Sequence, residues 1–245
     1  MSPDLLERIT EALKAALPAG TAFSLGPIAT DHPPLMGEEL PRVRDMAAKR
    51  RGEFMAGRAH ARAALAALGL PPLALPMGAD RAPAWPPGIV GSISHAGDLV
   101  VAVAAPARLL HGIGIDVEPA TPLDEDLLER VCRPEELTRI RDGSMHPPNP
   151  DPSHQDPSHQ DPSQQDPSHL AKLIFSAKES VYKCIAPRTG IFLEFGDVEI
   201  LLDPHRPAFS VQGHDAARGH LGPGLLSGRI VELGGYWITA TWQAA

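Results

Sequence analysis

Two short stretches place carboxylates and amines in register. In "GIGIDVEP", residues 112–119, Ile113, Ile115 and Val117 alternate with Gly112, Gly114, Asp116 and Glu118. A period of two makes this a strand with one apolar face. Its other face carries two glycines and then two carboxylates, about 7 Å apart along the strand. Like charges on one strand face repel unless something positive stands between them. A hard divalent cation, which takes one or two carboxylates plus phosphate oxygens and water, would answer that need. A strand end emerging into solvent before Pro119 would answer it equally. In "FSAKESVYK", residues 175–183, the period is that of a helix. Leu173, Ala177, Val181 and Cys184 form an apolar stripe, while Lys172, Ser176, Glu179 and Lys183 form a polar one. The plain reading of the polar stripe is a solvated face with a Glu–Lys pair worth a few tenths of a kcal/mol.

Two further groups widen the choice. "GSISHAGD", 91–98, places Ser92 and Ser94 on one strand face and Ile93 and His95 on the other, next to a turn. Serine hydroxyls and a protonated histidine can donate to a phosphate, and a histidine there can equally cap its turn. Residues 42–62 hold seven of the chain's 22 basic residues and only two acids. On a helix, Arg51, Arg58 and Arg62 cluster about 70° from the apolar stripe, where they could line a cleft or snorkel. Together these are the equipment for a magnesium-bound, multiply phosphorylated ligand.

The elements that must position these residues read as two similar halves. In each, a helix (near 43–69 and near 170–185) precedes antiparallel strands. "GIVGSISH" and "LVVAVAA" form one hairpin, and "GRIVELGGYWITATW" forms another around Gly234-Gly235. The expected fold is therefore α+β, two-lobed and pseudo-duplicated, with lobes at 1–111 and 112–245. The pentads "DPSHQDPSHQDPSQQDPSHL" have no apolar period and a proline every fifth residue, so 142–169 is expected to be a disordered insertion and polar spacer.

Composition sets bounds. The 245 residues carry a formal charge of −8, which argues against bulk nucleic-acid binding. No apolar run is long enough to span a bilayer, and the acidic amphipathic start does not read as a signal peptide. Cys132 and Cys184 make neither a disulfide framework nor a metal pair, so the cytoplasm is the expected compartment.

Four motifs, in order, resemble one family. "R-x-x-E-F-x-x-G-R-x-x-A-R", "R-A-P-x-W-P…G-S-I-S-H", "G-I-G-I-D-V-E" and "F-S-A-K-E-S-V-Y-K" resemble the 4′-phosphopantetheinyl transferases, of the surfactin-synthetase-activating and enterobactin synthase component D type. The resemblance runs from about Arg51 to Phe195; the pentad repeat is no part of the pattern. It implies coenzyme A held between the lobes and transfer of phosphopantetheine to a serine of an apo carrier protein, with release of 3′,5′-ADP. It also implies Mg²⁺ on Asp116, Glu118 and Glu179, and Lys183 neutralising phosphate oxygens. Ser94 and His95 would meet the nucleotide phosphates, and Arg62 and Arg81 the 3′-phosphate, with Arg51 and Arg58 beside them. Glu179 would be the base, directly or through a metal-bound water. One chain supplies both lobes, so a monomer is expected. Two other readings use the same residues: a magnesium-dependent pyrophosphate hydrolase, and a non-catalytic coenzyme A-binding docking module.

Overall fold

Alternation in two strands sets the architecture. In β3 (Leu99–Pro106), Leu99, Val101 and Val103 alternate with Ala102 and Ala104. The large residues face Ile113, Ile115 and Val117 of β4 (Leu110–Pro119) in a core shared by both lobes. The alanines face the other way and let α2 (Ala48–Ala67) lie close, through Ala61, Ala64 and Leu65. The computed structural model describes residues 1–28, 32–78, 82–145, 166–221 and 226–245.

The first lobe is a three-stranded antiparallel sheet in the order β1-β3-β2, with β1 at Ala22–Pro27 and β2 at Ile89–Ala96. The second is a five-stranded antiparallel sheet in the order β4-β8-β7-β6-β5. Its strands are β5 (Val198–Leu202), β6 (Ala208–Gly213), β7 (Leu226–Leu233) and β8 (Tyr236–Ala244). In each lobe a strand is followed by a long helix and the lobe ends in a hairpin, with β5 and β6 added before it in the second, and in each that first strand pairs with the last. The orders β1-β3-β2 and β4-β8-β7 are the same path taken twice, which is the expected two-lobed α+β pseudo-duplication. β1 and its pairing are absent from the sequence reading. An N-terminal helix, α1 (Pro3–Ala16), adds Ile9 and Leu13 to the shared core.

The helix α5 (Pro167–Thr189) covers the five-stranded sheet. Leu173, Ala177, Val181 and Cys184 are all buried beneath it, as their spacing requires. It starts earlier than the sequence reading places it. Asp166 caps it by accepting from the Ser168 amide, and Pro167 takes the first position, where its missing N–H costs nothing. The last pentad therefore opens the helix, which corrects the extent of the disordered insertion expected over 142–169. At the other edge, Met145 is buried and Ser144 bonds back to Asp142, after the short helices α3 (Leu128–Val131) and α4 (Pro134–Arg141). Residues 146–165, the rest of that expectation, lie outside the described residues. Among the described residues no helix is long and apolar enough to cross a membrane.

Candidate active site

Two glycines bring α5 onto β4. A methyl group on Gly114 would overlap the Ser180 carbonyl and stand 2.6 Å from the Cys184 nitrogen, and one on Gly112 would overlap the Cys184 carbonyl. Only glycine permits that approach. The polar stripe of α5 is thereby pressed against the face of β4 that carries Asp116 and Glu118, and is buried or half-buried. Ser176 is buried and hydrogen-bonds Thr239 of β8 at 2.9 Å.

Asp116 is the centre. It is 2% exposed. Its Oδ1 accepts from Lys183 Nζ at 2.6 Å and from Ser94 Oγ at 3.0 Å. Lys183 also reaches Ser94 Oγ at 3.2 Å, and that oxygen accepts from the Val117 amide. Ser94 thus ties the end of β2 to the end of β4 across the lobes. Asp116 Oδ2 is buried with no hydrogen-bond partner among the described residues. Two residues on, Glu118 Oε2 lies 2.7 Å from Lys172 Nζ. Burial pushes Glu118 above the usual carboxylate range; Lys172 pulls it back and Asp116 adds to the rise. Burial also raises Glu179, where Lys183 opposes the rise and Asp116 and Glu118 reinforce it. The three carboxylates therefore feel one another's charge.

His95 Nε2 stands 3.1 Å from Arg50 Nη1 and 3.8 Å from Glu53 Oε2. Burial holds its pKa below the usual value; Glu53 and Asp116 oppose that shift, and Arg50 and Lys183 add to it. A neutral ring accepting from the guanidinium suits the geometry. Beside Lys183 a cavity of about 550 Å³ opens between β2, β4 and the second half of α5. Trp85, Val90 and Ile113 give it apolar walls, Lys183 and Arg188 give it positive charge, and among the described residues no carboxylate lines it.

The other arginines are used by the fold. Arg62 forms a two-oxygen pair with the fully buried Glu39, at 2.9 and 3.0 Å, and Glu39 also accepts from the Leu75 amide. Arg58 is buried, donates to the Leu75 carbonyl at 2.6 Å and stacks on Phe54. Burial brings its pKa down to about 10, with Glu39 opposing the shift. Arg51 is exposed and donates to the Met46 carbonyl. The cluster expected of Arg51, Arg58 and Arg62 is thus split three ways. Arg81 lies outside the described residues. Lys178 faces away from the site, 3% exposed, bonded to Glu136 at 2.6 Å and to the Val131 and Phe195 carbonyls. Two site residues were given no role by the sequence reading, Lys172 and Arg50. Both lay in patterns it noted, the polar stripe and the basic run.

The site's chemistry fits a cation. A buried acceptor on Asp116 without a partner among the described residues, and two carboxyls raised first by burial and then by the neighbouring carboxylates, are what a positive charge would satisfy. Among the described residues no three such side chains stand together as metal ligands, and lysines hold Asp116 and Glu118.

Comparison with known proteins gives matches along most of the chain. Residues 38–105 match the profile of the 4′-phosphopantetheinyl transferase N-terminal domain, and 112–222 that of the 4′-phosphopantetheinyl transferase superfamily. 4′-phosphopantetheinyl transferase Svp of Streptomyces mobaraensis is 36% identical over 73% of this chain and 65% of its own length. 4′-phosphopantetheinyl transferase PptT of Mycobacterium tuberculosis is 31% identical over 82% of this chain and 79% of its own. Enterobactin synthase component D of Salmonella typhimurium is 34% identical over 61% and 54%. The chain spans under two thirds of the length of Svp.

Proposed function

Because this chain belongs to the 4′-phosphopantetheinyl transferase superfamily, we propose that it moves the 4′-phosphopantetheine group of coenzyme A onto a serine hydroxyl of an apo carrier protein. The observation that carries the reading is the Asp116–Lys183–Ser94 node at the lobe junction, with a buried carboxylate oxygen that has no partner among the described residues. The serine oxygen forms a bond to the β-phosphorus of coenzyme A. The bridging P–O bond breaks, and its electron pair leaves with 3′,5′-ADP. The serine proton passes to the Glu179 carboxylate, directly or through a water. Lys183 offsets charge on the phosphate oxygens. Asp116, Glu118 and Glu179 would hold Mg²⁺, which when bound neutralises the pyrophosphate and orients it. Lys183 is the joint between reaction centre and cavity, so the nucleotide end extends into the cavity. His95 and Arg50 do not line that cavity; near Lys183 and Asp116, they would meet phosphates at the reaction-centre end, since Arg62 and Arg58 are already engaged.

Both sides of the cleft come from one chain, divided near residues 111 and 112, so a monomer suffices. Two buried free cysteines fit a reducing cytoplasm. The test is a mass spectrum of an apo carrier protein after incubation with the chain, coenzyme A and Mg²⁺. The reading expects a gain of one phosphopantetheine on a serine. Release of 3′,5′-ADP without any carrier would identify a hydrolase instead. Binding of coenzyme A with no turnover would identify a docking module.

A further inference from the structure

Lys172 is a lysine that the reaction does not require, yet it sits on a residue that the reaction does. Its Nζ is 2.7 Å from Glu118 Oε2 and 5.3 Å from the centre of the Phe175 ring. Its side chain is 15% exposed and that of Glu118 21%, so the pair is shielded but not sealed. Both lysines next to the carboxylates come from α5, and they divide the work. Lys183 faces Asp116, the cavity and the Ser94 hydroxyl. Lys172 lies three helical turns earlier, pairs with Glu118 and does not line the cavity.

We propose that Lys172 is an internal placeholder for the divalent cation: its ammonium compensates Glu118 when no metal is bound, and so sets how tightly the chain takes a divalent metal. This rests on the reading of Asp116, Glu118 and Glu179 as the metal-holding group. Asp116 and Glu118 stand two residues apart on β4 and Glu179 on the helix packed against it, so the three charges repel, and burial magnifies the repulsion. An ammonium at 2.7 Å offsets it without the cation. The same ammonium repels an incoming cation and occupies one of the two Glu118 oxygens. Metal binding must therefore displace Lys172 or work around it, and the Phe175 ring, already 5.3 Å from the ammonium, is a favourable neighbour that does not depend on Glu118. Lys172 is a positioning residue in this account; it touches neither substrate nor the reacting atoms.

The experiment is direct titration with Mn²⁺, without coenzyme A, by calorimetry at fixed ionic strength. It compares the unchanged chain with Lys172→Met, Lys172→Arg and Glu118→Gln, with thermal midpoints measured in EDTA. Methionine keeps the apolar stem and its contact with Phe175 while removing the charge. Lys172→Met should bind Mn²⁺ about fivefold more tightly, the scale of one partly exposed ion pair. Its midpoint in EDTA should fall and be restored by Mn²⁺. Lys172→Arg keeps the charge and should match the unchanged chain in affinity, so it also controls for disturbed folding. If Lys172→Met binds Mn²⁺ equally or more weakly while Glu118→Gln loses binding, the placeholder role is overturned and the metal site stands. If Glu118→Gln binds as the unchanged chain does, both are overturned together.

Discussion

Arg62 and Arg50 stand on the same helix and each pairs with a glutamate, the first pair buried and the second half exposed on the arginine side. Arg62 is bound to a carboxylate that is fully buried and also holds the Leu75 amide, so its charge is spent inside the fold. Removing it strands Glu39, and breaking a buried pair costs far more than forming it gains. Arg62→Ala should lose about 3 kcal/mol of stability, read by urea denaturation. The ratio of affinities for coenzyme A and dephospho-coenzyme A should stay unchanged in the fraction that folds. Arg50→Ala should do the reverse. Its side chain is half exposed, and its pair with Glu53, at 3.4 Å, contributes little to stability. It should cost coenzyme A affinity with the thermal midpoint nearly unmoved. A stable Arg62→Ala with selective loss of coenzyme A would return that arginine to the ligand. At Asp116 the expectation is different again. Asp116→Asn keeps the shape and removes the charge that Lys183 and the proposed cation share. Transfer should fall below detection, while stability drops by about 1 kcal/mol because Lys183, 27% exposed, can turn to water. Near-normal transfer in magnesium buffer would remove Asp116 from the site.

At the scale of elements, the fit of α5 on β4 decides whether Glu179 and Lys183 meet Asp116 at all. Gly114→Ala should test this more sharply than any charge change. The added methyl meets backbone on both sides, the Ser180 carbonyl and the Cys184 nitrogen, and backbone cannot step aside as a side chain can. Overpacking of this kind costs about 1–3 kcal/mol or more, and it lifts the helix off the strand. The variant should lose both stability and turnover, with turnover lost even well below the unfolding temperature; a folded, fully active Gly114→Ala would show that the helix has room. The strand and the helix were legible in the sequence because their periods, two and 3.6, are properties of each segment alone. The two glycines on the Asp116 face were legible as small residues, but their reason lies in a helix some 70 residues away. The same limit hid the partners of Lys178 and Arg62. Glu136 and Glu39 stand 42 and 23 residues from them, and no period within a segment names a partner outside it. The family motif gives Arg62 to the ligand, and nothing within its own segment shows the pair it makes with Glu39. Asp166 and Pro167 do form a helix-start signal, but it was masked by three earlier copies of the same tripeptide.

Across the whole molecule, the repeated strand path sets the edge strands β2 and β4 side by side, and their ends carry the chemistry. Val101 and Val103 from one sheet and Ile113 and Ile115 from the other share a core, so the lobes are not independent of each other. A ligand that grips the end of β4 therefore stabilises the fold as a whole, by mass action on the native state. The proposed cation should raise the thermal midpoint, and the size of that rise should depend on pH in a direction the carboxyls fix. Glu118 and Glu179 sit above their ordinary value of 4.5, each chiefly through burial. A carboxyl whose folded pKa is raised takes up its proton at higher pH than in the unfolded chain. Protons therefore compete with the metal at both residues while ordinary carboxylates are still ionised. The difference in midpoint with and without Mn²⁺ should be largest near neutral pH and shrink as pH falls toward 5. Taking the difference cancels the metal-independent titration of His60, whose lowered pKa acts on the native state in both samples. Glu118→Gln should reduce the difference and shift its fall with pH. A difference that holds constant down to pH 4.5 would mean that the metal binds through groups with ordinary carboxylate pKa values, and not through this pair.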